Sequence, residues 1–205
     1  MIRIIDKDNI DLFATSMDQY FRLRYQVFVK ELGWCKPNDQ LKEIDQYDDE
    51  NAAYVMSIDG NGDVVGCFRL YPTMQPHMLS EYFAQMVDGQ VVQRDDVFEL
   101  TRFAITPNRR DGGVVYRELY LGMLEYCISR GITGTVAVLR TTRLAPLMGI
   151  GMNLRPMGLP QVIGNESNTV VYYEMNEDVL ARVQARAGVT DSVLESNSGL
   201  ISRVA

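Results

Sequence analysis

The chain has 205 residues, 46 % hydrophobic and 23 % charged, the balance of one ordinary globular domain with a substantial core. A formal net charge of −7 argues against general nucleic-acid binding. Its apolar runs fall short of the roughly 18 residues that a membrane-crossing helix needs, and the opening MIRIIDKDNIDLF has no signal-peptide pattern. The expectation is therefore a cytoplasmic protein with no nucleic-acid or membrane partner.

Taken in order, Ile2 to Ile5 reads as a short strand. Asp8 or Asn9 is placed to cap a helix from Ile10 to Glu31, and Gly33 to end it. In that helix Met17, Phe21, Arg24 and Phe28 share one face. A guanidinium on an apolar face keeps its charge, so burial demands an anionic partner. Asp45 and Asp48, in or beside the polar stretch from Trp34 to Asp49, are candidates, with a surface-directed Arg24 as the alternative.

Ala53 to Ile58 and Val64 to Tyr71 read as strands joined by the turn Asp59-Gly60-Asn61-Gly62, with Val65, Cys67 and Arg69 on one face of the second. Met78 to Met86, containing Phe83, reads as a short helix, and Val97 to Thr106 as the central strand. Arg109-Arg110-Asp111-Gly112-Gly113 then opens a long helix, Val114 to Arg130, whose apolar stripe is Val115, Leu119, Met123 and Tyr126 or Cys127. A strand at Thr133 to Leu139 and a short helix at Thr141 to Met148 follow. Two strands, Met152 to Pro156 and Thr169 to Met175, are expected with a turn at 165–168 between them. A last helix runs from Glu177 to Arg186, so the domain is expected over 1–186 and a frayed tail over 187–205. This order predicts a mixed α/β layer, a central sheet covered by helices.

Cys35, Cys67 and Cys127 are odd in number and widely spaced, which suits buried thiols in a reducing compartment. His77 is the only histidine, which argues against a multi-histidine metal site, and no metal is expected. Charges also sit inside apolar sequence at Arg69, Glu99 and Arg102, and paired charges in such settings are candidates for function.

Arg24, Phe28, Trp34, Asp45, Asp48, Arg69, Phe83, Glu99 and Arg102 stand in the order and spacing of the acyl-homoserine-lactone synthases, the autoinducer synthases of quorum sensing. The strings RLRYQVFVKELGW, EIDQYDDENAAYV, GCFRLYPT and FELTRFAIT also resemble that family, over roughly residues 1 to 175. The resemblance implies an acetyltransferase-like (GNAT-type) fold. It implies acyl transfer from an acyl thioester, on acyl carrier protein or coenzyme A, to the amine of S-adenosylmethionine, followed by lactonisation. S-adenosylmethionine would be a substrate, and no cofactor is expected.

On this resemblance Glu99 is the expected base, with Arg102 beside it. Arg24, Asp45, Asp48 and Arg102 would wall the methionine moiety, with Arg69 bracing them, Phe28 and Trp34 on the aromatic side, and Phe83 nearby. Leu100, Thr101, Phe103, Met123, Tyr126 and Thr141 are nominated for the acyl pocket. Glu99 and Arg102 are three positions apart, which puts them on opposite faces of a regular strand. For both to reach one site, a bulge is expected between Phe98 and Phe103. Docking an acidic carrier protein needs a basic patch, for which Arg109, Arg110, Arg140, Arg143 and Arg155 are the candidates. The competing expectation is an N-acyltransferase of the same fold acting on another amine.

Overall fold

The computed structural model describes residues 1–195. β1 (Ile2–Ile5) leads through a 3-10 turn, Ile10–Phe13, into α1 (Ala14–Arg24). Asn9 does not cap this helix; its side chain accepts from the Asp6 N–H (3.0 Å) and donates to the Ile4 carbonyl (3.1 Å), closing the turn out of β1. The helical run continues past Arg24 as a π-helical stretch, Tyr25–Glu31, and stops at Gly33, whose φ of 65° a glycine adopts without strain.

The hairpin β2 (Ala53–Ile58) and β3 (Val64–Pro72) forms as expected, its turn held by Asp59. Then come α2 (Met78–Tyr82), β4 (Val97–Ile105), α3 (Val114–Ser129), β5 (Gly134–Arg140), α4 (Leu144–Gly149) and β6 (Leu154–Pro156). β7 (Gln161–Ile163), β8 (Glu166–Glu174) and α5 (Glu177–Ala187) complete the described elements. The expected turn at 165–168 is displaced. Ile163 pairs with Glu166 across Gly164-Asn165, so residues 166–168 already belong to a strand and β7 is an element the sequence reading missed.

The eight strands form one sheet in the order β1-β2-β3-β4-β5-β8-β6, with β7 also on β8. β4 and β5 are the parallel pair, and the other pairings are antiparallel. α3 and α5 cover one face and α1 the other. The α3 face is the larger core, with Leu70, Leu119, Met123 and Val171 inside it. Val65 belongs to this core rather than sharing a face with Cys67 and Arg69, because the β2–β3 register shifts between Ser57 and Ile58. The helix lies close enough that a Cβ on Gly66 would come within 2.6 Å of Val115. Glycine there is required by the approach of α3.

The expected frayed tail is described only to Glu195, and that part is docked. Val193 and Glu195 exchange backbone hydrogen bonds with Ile2, and the Glu195 carboxylate takes two hydrogen bonds from Arg3 (2.6 and 2.8 Å). Residues 196–205 lie outside the described residues. Among the described residues no helix is long and apolar enough to cross a membrane.

Candidate active site

On the α1 face the chain buries a closed ring of charge. Arg24 is fully buried at the end of α1, so of the two alternatives the helical stripe left open, the paired one holds. Its guanidinium clasps Asp48 with two bonds (2.7 and 2.9 Å) and donates to Glu43 (2.6 Å). Tyr20 and Phe21 flank it at 5.3 and 5.4 Å from their ring centres. Arg69, on β3, donates to Asp45 (2.5 and 3.1 Å), to Asp48 (2.8 Å) and to Thr101 (3.2 Å). Arg102, on β4, reaches Glu43 (3.1 Å) and Asp45 (2.8 Å).

Three guanidinium groups thus face three carboxylates, and the cluster is neutral as a whole. That balance is why it tolerates burial, since an unpaired charge there would cost several kcal/mol. Burial works against the Asp45 carboxylate, but Arg69, Arg102 and Arg24 hold it below the usual range. Glu43 was not foreseen. It sits in the same polar loop as Asp45 and Asp48, and the only signal for it was the third arginine, which two aspartates cannot neutralise. The expectation placed Glu99 among these pairs, and the structure does not.

Glu99 is also buried, but it faces the first turn of α2, accepting from the N–H groups of Met78 (3.0 Å) and Leu79 (2.7 Å). Burial pushes its carboxyl up to about 7, against those two N–H groups, Arg69 and Arg102.

The bulge in β4 is present. Arg69 pairs with Thr101 and Cys67 with Ala104, so β4 carries one residue more than β3 over this stretch. Arg102 takes up the excess at φ 57°. As a result Glu99, Thr101 and Arg102 reach the charged face, while Leu100 and Phe103 turn to α3. The same distortion parts β4 from β5: their pairing begins at Val97 and Gly134 and ends at Glu99 and Val136. A wedge-shaped opening therefore starts beside Glu99.

On the α3 side of the sheet the residues around Phe103 form a cluster of rings. Phe103 stacks between Phe68 (5.9 Å) and Tyr120 (5.3 Å), with Tyr116 edge-on (5.7 Å) and Tyr173 beyond Tyr120 (6.3 Å). Tyr116 and Tyr120 went unnoticed in the sequence, although they lie one helical turn apart on α3.

Among the residues nominated for an acyl pocket, Leu100, Phe103 and the fully buried Met123 belong to the α3-side core. Thr101 is engaged with Arg69 on the other face. Tyr126 lies beside Arg130, on the last turns of α3 (5.8 Å). The Thr141 hydroxyl donates to the Ser167 carbonyl (3.3 Å). Tyr126 also packs against the core that holds Leu100, Phe103 and Met123, while Thr101 and Thr141 lie outside it.

Phe28 carries the Arg102 guanidinium over its ring (5.4 Å), and Trp34, 60 % exposed, stacks on Phe28 (5.8 Å). The π-helical stretch arranges this, because the Phe28 carbonyl accepts from the N–H groups of both Trp34 and Cys35. Phe83 stands apart from the ring, in an apolar cluster with Leu79 and Met86. Of the expected basic patch, Arg109, Arg110 and Arg140 are paired with Asp59, Glu31 and Glu166. Arg155 lies over Tyr172.

A sequence model described as autoinducer synthase matches residues 8–183. An isovaleryl-homoserine lactone synthase of Bradyrhizobium diazoefficiens is 30 % identical over 204 residues, 98 % of this chain and 91 % of that one. A solved coenzyme A-dependent acyl-homoserine lactone synthase, BjaI, with S-adenosylmethionine and isopentyl-coenzyme A, superposes with a TM-score of 0.87 at 28 % identity, covering 100 % of this chain and 99 % of that one. A putative N-acetyltransferase from Lactobacillus plantarum shares the fold, with a TM-score of 0.58 at 18 % identity over 85 % of this chain and 99 % of that one. A mixed sheet that parts beside a buried carboxylate, next to a neutral ring of arginines and acids, and a family match across most of the chain agree: this protein belongs to the autoinducer synthase family, and it is an acyltransferase.

Proposed function

We propose that Glu99 is the base of an acyl-homoserine-lactone synthase reaction in which S-adenosylmethionine lies against the acid–arginine ring and the acyl thioester enters the opening between β4 and β5. The observation that carries this reading is the placement of Glu99: a buried carboxyl pushed up to about 7, at the point where the two strands part. A base with that affinity is suited to take a proton from the substrate ammonium near neutral pH, directly or through a water.

The freed amine then attacks the thioester carbonyl, the carbon–sulfur bond breaks, and the thiol leaves with the proton. The substrate carboxylate next attacks its own γ-carbon and expels methylthioadenosine, whose sulfonium is already a good leaving group. The second step needs orientation more than chemistry. Arg24, Arg69 and Arg102 supply partners for a carboxylate, and Glu43, Asp45 and Asp48 partners for an ammonium and a sulfonium. Phe28 and Trp34 offer ring faces to the sulfonium or the adenine. Direct transfer fits the thiols, since burial pushes Cys67 and Cys127 up to about 12, far from a reactive thiolate. The sulfonium supplies the driving force of ring closure, so the proposed reaction uses no cofactor.

Coenzyme A is the proposed form of the donor. Three of the arginines a carrier protein would need are already paired with acids, and the BjaI relative is itself coenzyme A-dependent. The location that follows is the cytoplasm, where both substrates are made and free thiols persist. The test is methylthioadenosine release from S-adenosylmethionine with matched panels of acyl-coenzyme A and acyl carrier protein donors. Release dependent on an acyl-coenzyme A is the expected result. Release with carrier-bound donors alone overturns the donor assignment. No release with any donor, from folded protein, points instead to an N-acyltransferase acting on another amine.

A further inference from the structure

α2 is only five residues long, Met78–Tyr82, yet its first turn supplies both hydrogen bonds to Glu99. A helix this short has no stability of its own, so its aim depends on what ties it down. The inner end is held by the buried Leu79, and the turn is braced by Ser80, whose hydroxyl donates to the His77 carbonyl (2.8 Å) and accepts from the His77 N–H (3.0 Å). The outer end is held at Glu81 and Tyr82. Glu81 accepts a short hydrogen bond from the Tyr47 hydroxyl and a longer one from Gln46 (3.3 Å), which also donates to the Tyr82 hydroxyl (3.2 Å).

Tyr47 is itself fixed. It is 4 % exposed, its ring lies under the Arg69 guanidinium (5.4 Å), and it meets Tyr71 edge-on (5.6 Å). Its neighbours Asp45 and Asp48 bind all three arginines of the ring. Hydrogen bonds from Tyr47 and Gln46 therefore join the loop that faces the proposed methionine site to the helix that faces the proposed base, and the one from the buried Tyr47 is the shortest of them.

We propose that Tyr47 and Glu81 are a positioning pair for this reaction: their hydrogen bond keeps the N–H groups of Met78 and Leu79 aimed at Glu99, and couples the acid–arginine ring to the base. The proposal rests on the base role of Glu99 put forward above. The groups that set the proton affinity of Glu99 are Arg69 from β3, Arg102 from β4 and the two N–H groups of α2, all favouring the ionised form. Burial, the largest influence on His77 at the head of α2, lowers its proton affinity. Loosening α2 weakens the two N–H bonds and leaves the burial in place, so the proton affinity of Glu99 rises.

The experiment is the pH profile of kcat/KM for methylthioadenosine release in Tyr47→Phe, Glu81→Ala and Glu81→Gln, with Glu99→Gln alongside. Tyr47→Phe keeps the ring under Arg69 and removes only the hydroxyl. Tyr47→Phe and Glu81→Ala are expected to move the acid limb upward by about one pH unit, a loss of about tenfold on the acid limb and about fivefold at pH 7 that recovers in alkali. Glu81→Gln keeps an acceptor oxygen and is expected to restore most of the loss. A loss uniform across pH, or an unmoved acid limb in Tyr47→Phe while Glu99→Gln is inactive, overturns the positioning pair alone. A Glu99→Gln enzyme with wild-type turnover removes the base reading and this proposal with it.

Discussion

Glu99 and Arg102 lie on one face of β4 although three positions separate them, because Arg102 occupies the bulge with a left-handed backbone at φ 57°. A non-glycine residue held there stores strain on the order of 1 kcal/mol or more. Replacing Arg102 with Ala or Gly removes the same ion pairs to Glu43 and Asp45, but only Gly relieves the backbone. Arg102→Gly is therefore expected to be more stable than Arg102→Ala by about 1 kcal/mol, with both inactive. Urea unfolding of the pair checks this, and equal stabilities contradict the strain.

Arg24 is fully buried, as Arg69 is, and it neutralises Glu43 and Asp48. Arg24→Ala leaves both acids buried without it, with an expected loss of about 3–5 kcal/mol and loss of activity. A change below about 1 kcal/mol, the size of a surface pair, contradicts a buried network.

Glu99 makes stability and activity depend on pH in opposite senses. Its folded-state affinity, about 7, lies above the unfolded value of 4.5, so the native state binds the proton more tightly. Its contribution to stability is complete below the unfolded value and is lost as pH rises through the folded one. Relative to Glu99→Gln, the wild type is expected to lose about 3 kcal/mol of stability across that window. Over the same window kcat/KM is expected to rise, because Glu99 in its proposed role as base must be ionised to act. Paired denaturation curves and rate profiles from acid to neutral pH measure both.

An acyl chain entering between β4 and β5 as proposed meets the packed rings of Phe103, Tyr116 and Tyr120. Compact acyl groups are expected to be preferred, with butanoyl- or isovaleryl-coenzyme A turned over well ahead of decanoyl-coenzyme A. Phe103→Leu and Tyr116→Ala cut back those rings, and either is expected to raise the decanoyl-to-butanoyl ratio of kcat/KM by about tenfold or more. Comparable rates with both donors in the wild type contradict the aromatic limit.

The bulge in β4 follows only from the family resemblance, which asks Glu99 and Arg102 to serve one site. For Arg24 the amino-acid sequence set a condition, an acidic partner if buried, without deciding the burial. By itself it determined the succession of strands and helices, through apolar periodicity and turn residues. Even there β7 escaped, because three residues before Gly164-Asn165 are too few to show a period. Only the tertiary structure decided which acid meets which arginine, and that Glu43 completes the ring. The same holds for the choice of α2, rather than an arginine, as the partner of Glu99, and for the docking of residues 193–195 on β1. These are contacts between segments far apart in the chain. Their partners are selected by the closure of loops around a charge that must not be left unpaired, and a sequence pattern carries the demand for a partner without naming which residue supplies it.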